Sequence, residues 1–403
     1  MAPVYTVGPK GVKPRSDVRV IYTPQSSPLS IKHQSKVGVL FGNSINELTQ
    51  SVCNKLGITS GKLEIEDFGA VPFVMMARIE AAIKKAHPDL SVEVLPEMKE
   101  FCQYSSSRDR FRRSRLYLPG NQPKLMLNAG IHQSDGLILD LEDSVGPSEK
   151  DETRYLVRNA LRALNFFSTE RMVRINQGEM GLKDLEFIVP HNVHLILVPK
   201  VESAEQIRIV DEKIAEINQV CGRSDPVFLM PILESGRGIL KALEIAEASP
   251  NNVALAIGLE DYTADLGVPR TDEGKESFFA RGMLVNAARA AGLQAIDTVY
   301  SDVGNEEGLR ASVLEAKALG FDGKGCIHPR QIKPLHEAFA PTAAEIDKAK
   351  EIELAFNKAQ EQGLGVVALG NKMIDLPVVK RAQQTIVLAI ASNLLSENWK
   401  ENL

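Results

Sequence analysis

Beyond residue 112, short apolar runs alternate with longer stretches whose apolar residues recur at helical spacing. The runs are RLYLPG (115–120), DGLILDLED (135–143), RMVRIN (171–176), HLILVPKVES (194–203), VFLMPILESGRG (227–238), VALAIGLEDY (253–262), QAIDTVYSDV (294–303) and KGCIHPRQ (324–331). Helical segments, such as 153–164 and 307–320, separate them. Strands that alternate with helices over about 220 residues predict a (β/α)8 TIM barrel of the α/β class. An open, doubly wound sheet is the alternative, although no Gly-x-Gly-x-x-Gly motif follows the first run.

Most of these apolar runs end in polar residues. In a (β/α)8 barrel the loops that follow the carboxyl ends of the strands build the active site. Polar residues that close a run are therefore expected at the mouth of the barrel. The residues of this kind are Asp140, Glu142, Asp143, Arg174, Asn176, Lys200, Glu202, Glu234, Glu260, Asp261, Asp297 and His328.

Two of these carboxylates suggest a metal site. Glu234 and Asp261 end the fifth and sixth runs, so they are expected on neighbouring strands. Two carboxylates, with water and substrate oxygens completing the coordination, suit Mg²⁺. Ion pairing with Arg237 or Lys200 is the alternative. No cluster of His or Cys residues indicates a zinc site.

Arg174 ends the third run and adds a cation to the same mouth. Its guanidinium group could hold a carboxylate, or a developing oxyanion, through two parallel hydrogen bonds. A Mg²⁺ ion and an arginine that meet at one carbonyl oxygen would stabilise an enolate. The residues alone therefore predict a metal-assisted reaction at a carbonyl or carboxylate group, with the substrate unidentified.

The chain before the barrel divides into three parts. Residues 1–36 carry six Lys and Arg residues against the single acid Asp17, which predicts a mobile basic arm. Residues 37–98 are expected to form a small α+β domain, because a strand pattern at 62–70 lies between helical patterns at 45–56 and 74–87. Residues 99–112 are polar and charged, as in a linker, and the barrel is expected over 113–345.

Composition narrows the class of protein further. A net charge of -5, a pI near 5.9 and 44% hydrophobic residues are typical of a soluble globular protein, and they argue against a nucleic-acid partner. The four cysteines are scattered, which favours neither a disulfide framework nor a zinc cage and suggests a cytoplasmic location. No uncharged apolar stretch reaches the ~20 residues of a membrane helix, so no membrane association is expected.

Eight motifs in order carry a family resemblance. RSRLYLPGNQPK, DGLILDLEDSVGPSEK, VRIN, LVPKVES, ILESGRG, IGLEDYTADLG, GFDGKGCIHPRQ and GNKMIDLPVVKRA together resemble the citrate lyase β-subunit group of the HpcH/HpaI aldolase superfamily, which includes malyl-CoA and citramalyl-CoA lyases. The resemblance implies a Mg²⁺-dependent carbon–carbon lyase on a (β/α)8 barrel, usually trimeric. Such enzymes act on a CoA thioester and a 2-oxoacid.

The resemblance also assigns roles to individual residues. Glu234 and Asp261 match the metal ligands, and Arg174 matches the arginine that stabilises the enolate oxygen. Asp375, in KMIDLP, matches an acid/base aspartate on a C-terminal lid, here residues 346–403, that reaches the active site of the neighbouring subunit. Read locally, Asp375 is simply the start of a helix.

Further residues are assigned more loosely. Arg113 and Lys124 match basic positions that flank the CoA site, with plain surface charges as the alternative. For Asp140, Glu142 and Asp143 we expect an outer role, in which they orient metal-bound water or basic partners.

A second resemblance covers residues 63–83, LEIEDFGAVPFVMMARIEAAI, which look like the end of the citrate lyase acyl carrier subunit. That carrier bears its CoA-derived arm on a serine within Gly-x-x-x-Ser-Ser-Asp. Here the counterpart is GVKPRSD, with Arg15 at the attachment position and only Ser16 remaining. The departure favours an enzyme that binds free CoA esters. A subunit of a citrate-lyase-like assembly, or a malyl-CoA thioesterase or malate synthase activity, is the alternative.

Overall fold

The computed structural model of the protein describes residues 3–9, 14–361, 367–369 and 372–400. Three units follow one another along the chain: an N-terminal sheet domain, a closed barrel and a C-terminal helical hairpin. No helix within the described ranges is both long and apolar enough to cross a bilayer.

The N-terminal domain is a four-stranded sheet with two helices. Its elements are β1 (Tyr5–Val7), β2 (Val18–Pro28), β3 (Ser30–Ser35), α1 (Gly38–Lys55), β4 (Ser60–Asp67) and α2 (Pro72–Ala86). The strand order is β1-β2-β4-β3, with β3 parallel to β4 and the other pairs antiparallel. The sheet alternates buried and partly exposed positions, as expected for a sheet with one face on a core.

The prediction of a mobile basic arm over residues 1–36 is wrong, because most of this segment forms β1, β2 and β3. Val18, Val20 and Tyr22 alternate into the core. The basic residue between the first two, Arg19, lies on the other face, where it pairs with Glu66 of β4 at 3.1 Å. The basic residues made this segment look like a solvated tail, although Arg19 pairs with an acid on the neighbouring strand.

A buried ion-pair network joins this domain to the barrel. Arg78 of α2 binds Asp17 (2.9 Å) in its own domain and Glu152 (2.7 Å), which belongs to the barrel. Two residues further along α2, Glu80 pairs with Arg158, and both side chains are fully buried. Buried charges that satisfy one another in this way fix the two units in one arrangement.

The barrel has eight parallel strands that close on themselves. They are β5 (Ser114–Pro119), β6 (Gly136–Asp140), β7 (Glu170–Arg174), β8 (Leu195–Val198), β9 (Phe228–Leu233), β10 (Ala254–Ile257), β11 (Gln294–Asp297) and β12 (Gly323–Cys326), and β12 pairs with β5. Each strand overlaps one of the eight apolar runs, and β5, β7 and β12 begin one residue before their run. The predicted (β/α)8 barrel is therefore confirmed.

Helices surround the barrel and extend beyond it. They are α3 (Pro123–Met126), α4 (Lys150–Ala163), α5 (Gly178–Ile188), α6 (Ala204–Cys221), α7 (Gly236–Leu240), α8 (Ala242–Ala246), α9 (Leu259–Leu266), α10 (Lys275–Ala290), α11 (Glu306–Leu319) and α12 (Ile332–Phe339). Apolar side chains fill the barrel interior, among them Met172, Leu197 and Met230.

The C-terminal hairpin has a small core of its own. It consists of α13 (Ala343–Glu361), the short antiparallel strands β13 (Val367–Leu369) and β14 (Lys372–Ile374), and α14 (Leu376–Ala391). Phe356, Ile386 and Trp399 are among the residues of that core. The hairpin is thus a separate packing unit after the last barrel helix.

Candidate active site

A cavity of about 460 Å³ opens at the carboxyl ends of the barrel strands. Its wall contains Arg174, Glu234 and Asp261, three residues that the sequence assigned to one site. They meet because parallel strands in a closed barrel end at the same rim. We call this space the mouth cavity.

Glu234 and Asp261 lie close together beside the cavity. Glu234 directly follows β9 and is 6% exposed, and its Oε1 accepts a hydrogen bond from the backbone N–H of Lys200 at 3.1 Å. A Cβ atom at Gly258 would lie 2.6 Å from the Glu234 carboxylate, so glycine is required there for this approach. Burial, followed by the hydrogen bond with Asp261, raises the pKa of Glu234 to about 8. Two carboxylates held this close favour a cation between them.

The set of donors fits Mg²⁺. Within the described ranges, no three His, Cys, Asp or Glu side chains form a closed metal cage. Glu234 and Asp261 would therefore supply two oxygen ligands and leave the other positions to water and substrate, as Mg²⁺ prefers. Such an open arrangement is typical of a catalytic rather than a structural ion.

The alternative, that Glu234 and Asp261 form ion pairs with Lys200 or Arg237, applies only to the contact between Lys200 and Asp261. Lys200 places its Nζ 3.7 Å from Asp261, and 3.6 Å from both Glu142 and Asp143. These are long contacts shared among several acids. Arg237 lies 3.8 Å from Glu202 and does not pair with either carboxylate.

Arg174, the last residue of β7, is held in place by acids at the end of the neighbouring strand β6 and in the loop that follows it. Its Nε and Nη2 donate to the two oxygens of Asp140, each at 2.7 Å. Its Nη1 lies 3.0 Å from Glu142 and 3.3 Å from Asp143, and the guanidinium carbon lies 5.3 Å from the centre of the Tyr117 ring. Burial opposes ionisation of Asp140, but the Arg174 hydrogen bonds outweigh it and lower the pKa of that carboxyl group. The acidic cluster after β6 therefore orients a basic partner.

Lys124 and Arg113 lie at opposite ends of the barrel. Lys124 is exposed on α3, which directly follows the carboxyl end of β5 and so lies on the mouth side. Arg113 precedes β5 and is therefore at the amino end, where its Nε and Nη2 donate to Asp135 at 2.9 and 3.0 Å. Arg113 therefore does not border the mouth of its own barrel, and its contribution to a CoA site stays a prediction.

Asp375 is also absent from the mouth cavity of its own chain. It caps the start of α14, where its carboxylate accepts the backbone N–H of Val378 at 3.2 Å. Residues 380–388 of the same helix line a cavity at the amino end of the barrel, together with Arg113. Asp375 therefore stands at the start of a helix, as the residues around it predict.

Sequence reasoning missed several residues of the mouth cavity, and two of them stand out. Arg115 and Tyr117 lie on β5 and line the cavity from inside the barrel. The signal was present in RLYLPG, because alternate residues of a strand share one face and one of them is a charged residue within an apolar run.

The profile of the HpcH/HpaI aldolase/citrate lyase family matches residues 113–329, more than half of the 403 residues. The chain therefore belongs to this family, as the motifs predicted. Residues 9–86 match the profile of the malonate decarboxylase delta subunit, which supports the carrier-like reading of the N-terminal domain.

Similar proteins include enzymes and solved structures. Citrate lyase subunit beta of Haemophilus influenzae is 43% identical over 277 residues, 68% of this chain and 95% of that protein. The mitochondrial citramalyl-CoA lyase of Homo sapiens is 34% identical over 299 residues, 71% and 88% of the two chains. The crystal structure of CitE from Mycobacterium tuberculosis, in complex with magnesium, acetoacetate and coenzyme A, has a TM-score of 0.58 at 29% identity and covers 70% and 99%. The predicted lyase class is thereby confirmed.

Proposed function

We propose that the protein is a magnesium-dependent carbon–carbon lyase. It cleaves or forms a 3-hydroxyacyl-CoA, such as malyl-CoA or citramalyl-CoA, with acetyl-CoA and a 2-oxoacid on the other side of the reaction. The observation that carries this proposal is the meeting of Arg174, Glu234 and Asp261 in one cavity. The magnesium, coenzyme A and acetoacetate of the mycobacterial structure support the same chemistry.

Glu234 and Asp261 are the proposed metal ligands. When bound there, magnesium would act as a Lewis acid toward the carbonyl of the 2-oxoacid. The two side chains would hold the ion near Arg174, and the largely buried position of Glu234 would strengthen the electrostatic interaction.

Arg174 is proposed to stabilise the enolate of acetyl-CoA. In cleavage, the 3-hydroxyl group loses its proton to solvent and becomes the carbonyl of the 2-oxoacid, while the C2–C3 bond breaks and its electron pair moves to the thioester as an enolate. A guanidinium N–H group aimed at that oxygen stabilises the charge as it forms. Asp140 positions Arg174 for this role, since it holds two of the three guanidinium nitrogens.

Asp375 of a neighbouring subunit is proposed to return the proton to C2 of the enolate, or to remove it in the synthetic direction. Its absence from the mouth cavity of its own chain supports a contribution between subunits. The proposed assembly is a trimer or a multiple of a trimer. Mixing D375A and E234Q chains should then give hybrid oligomers more active than either parent. No gain after confirmed subunit exchange would count against this assignment.

Free CoA esters are the proposed substrates, and Lys124 is the proposed contact for a CoA phosphate. A component of a carrier-dependent citrate lyase is the second candidate, because residues 9–86 match a carrier-type subunit. Against it, Arg15 occupies the attachment position of the arm. Intact-mass analysis would decide: a covalent CoA-derived arm on Ser16 would favour the second candidate.

The deciding experiment measures acetyl-CoA release from malyl-CoA and citramalyl-CoA by the purified protein, first with Mg²⁺ and then with EDTA. We expect cleavage that depends on the metal. Product analysis separates a lyase, which releases a 2-oxoacid, from a thioesterase, which releases free CoA and the hydroxyacid. A folded, magnesium-loaded protein that cleaves neither ester would contradict both named substrates and favour the carrier-dependent candidate or an acyl-CoA built from another 2-oxoacid.

A further inference from the structure

Arg115 lies inside the barrel at the inner end of the mouth cavity. It is the second residue of β5, and the strand runs four residues further to Pro119 at the rim, roughly 13 Å away along the strand. Its side chain is 2% exposed and lines the cavity. Arg115 is therefore the cation at the floor of the space that Arg174 and Glu234 border higher up.

The barrel provides room for this long side chain. In register with Arg115 are Gly136 on one neighbouring strand and Gly325 on the other. A Cβ atom at Gly136 would lie 2.5 Å from the Met172 side chain, and one at Gly325 would lie 2.7 Å from Val299. The positions on both sides of Arg115 thus carry no side chain.

The guanidinium group of Arg115 is poorly satisfied. Its Nη1 contacts the sulfur of Met230 at 3.0 Å, and its Nη2 lies 3.4 Å from the backbone oxygen of Asp297. The sulfur is a weak acceptor and the second contact is long. Its Nε has no hydrogen-bond partner in the part of the chain that the structure describes. A buried cation with so few acceptors is unusual, because buried charges are normally paired.

The surrounding charges do not balance Arg115 either. Asp297 is already bound by Lys324 at 2.7 Å and by Arg281 at 3.1 Å. Arg281 also pairs with Glu315 of α11 at 3.0 Å. Three cations therefore share two acids, and one positive charge remains at the floor of the cavity.

We infer that Arg115 is a specificity residue that binds a terminal anionic group of the oxoacid half of the substrate. This inference rests on the proposed function, in which Arg174, Glu234 and Asp261 hold the reacting end. The other end of the oxoacid then points into the barrel, toward Arg115. The preferred 2-oxoacid is accordingly one with a second carboxylate, and an oxoacid with a methyl group there leaves the guanidinium unpaired.

The test compares oxaloacetate with pyruvate, which differ only in the terminal carboxylate. Binding of each freshly dissolved acid to the full-length protein with Mg²⁺ is measured by isothermal titration calorimetry. The wild-type protein should bind oxaloacetate more tightly. R115M should lose about 10- to 100-fold in affinity for oxaloacetate, since a charge-assisted pair is removed. Its affinity for pyruvate should change by less than about threefold.

Two controls make the result specific. R270M removes another arginine near the mouth, one that pairs with Glu260 and does not line the mouth cavity, and it should leave the affinities for both acids within about threefold. The thermal midpoint of R115M should match or exceed that of the wild type, because an unbalanced buried charge is removed.

An equal loss for both acids in R115M, or no loss for oxaloacetate, would overturn the inference. The outcome is separable from that of the proposed function, because oxoacid binding is measured without turnover. Selective loss of oxaloacetate binding in a protein that cleaves no acyl-CoA would leave the subsite standing and reject the lyase.

Discussion

The two ends of the barrel differ in how their charges are paired. At the amino end each acid has its own arginine: Glu170 holds Arg112 at 2.7 and 2.8 Å with both side chains fully buried, and Asp135 holds Arg113. At the carboxyl end the acids outnumber the cations. The acids there are Asp140, Glu142, Asp143, Glu234 and Asp261, and the cations are Arg174 and Lys200.

This difference separates stability from function. The pairs Glu170–Arg112 and Asp135–Arg113 are complete in the protein alone, so they contribute to the folded state. The carboxyl end keeps excess negative charge beside Glu234 and Asp261, which a bound cation would neutralise. That division agrees with the general placement of active sites in (β/α)8 barrels.

The largest effect is expected at the mouth. E234Q keeps the shape of the side chain but removes a charged metal ligand, so Mg²⁺-dependent turnover should fall by about three orders of magnitude or more. The rise in thermal midpoint that Mg²⁺ causes in the wild type should also disappear. Turnover and thermal unfolding across a Mg²⁺ titration measure both.

The matched control for E234Q is E244Q, on the exposed surface of α8. It should behave as the wild type in both assays. If E234Q retained its response to Mg²⁺, the ion would have to be held elsewhere and the assignment would fail.

A large but different effect is expected at the amino end. E170Q leaves the buried Arg112 without a charged partner, which should lower the free energy of unfolding by about 3–5 kcal/mol. The turnover of the folded fraction should stay within about twofold. Urea unfolding followed by circular dichroism measures the first, and steady-state kinetics the second.

The control for E170Q is E205Q, which removes an exposed partner of Arg208 on α6. Exposed pairs contribute little, so a change under about 1 kcal/mol is expected. Equal destabilisation by E170Q and E205Q would contradict the claim that the buried pair contributes more to stability than the exposed pair.

Acid should destabilise the protein through two buried histidines at the amino end. Burial, first of all, lowers the pKa of both His191 and His194 to about 3. In the unfolded chain they titrate near 6.5. The unfolded state therefore binds more protons below pH 6.5, and stability falls from there toward pH 3, by about 1.4 kcal/mol per pH unit for each histidine.

Urea unfolding at pH 7, 6 and 5 measures this slope. H194N should reduce the slope of unfolding free energy against pH by about 1.4 kcal/mol per pH unit, the contribution of one histidine. A variant with the unchanged slope would show that His194 does not carry the effect.

The smallest expected effect is a change in CoA affinity, which should differ between variants of Lys124 and Arg113. K124Q should weaken binding of CoA by about three- to tenfold if Lys124 contacts a phosphate, whereas R113Q should leave it unchanged because Arg113 is bound to Asp135 at the other end. Calorimetric titration with CoA gives both values. Loss of CoA affinity in R113Q alone would show that a CoA molecule reaches Arg113, for example in a neighbouring subunit.

Much of the site could be predicted from the sequence. The strands were visible because each one leaves a short apolar run, and barrel closure brings the ends of such runs to one rim. Arg174, Glu234 and Asp261 follow from that rule together with the preference of Mg²⁺ for oxygen. The same rule applies to Arg113, which precedes its strand and therefore lies at the amino end.

Other features needed the tertiary structure because they depend on residues distant in sequence. Whether the basic N-terminal residues form an arm or a strand was decided by Glu66, about 50 residues further along the chain. The unbalanced charge of Arg115 became visible only when Met230 and Asp297 were placed around it. The sequence by itself determined where the barrel strands form and which end of each strand is polar, since both are local patterns. Charge balance was decided by tertiary structure, because it sums over strands that meet only when the barrel closes.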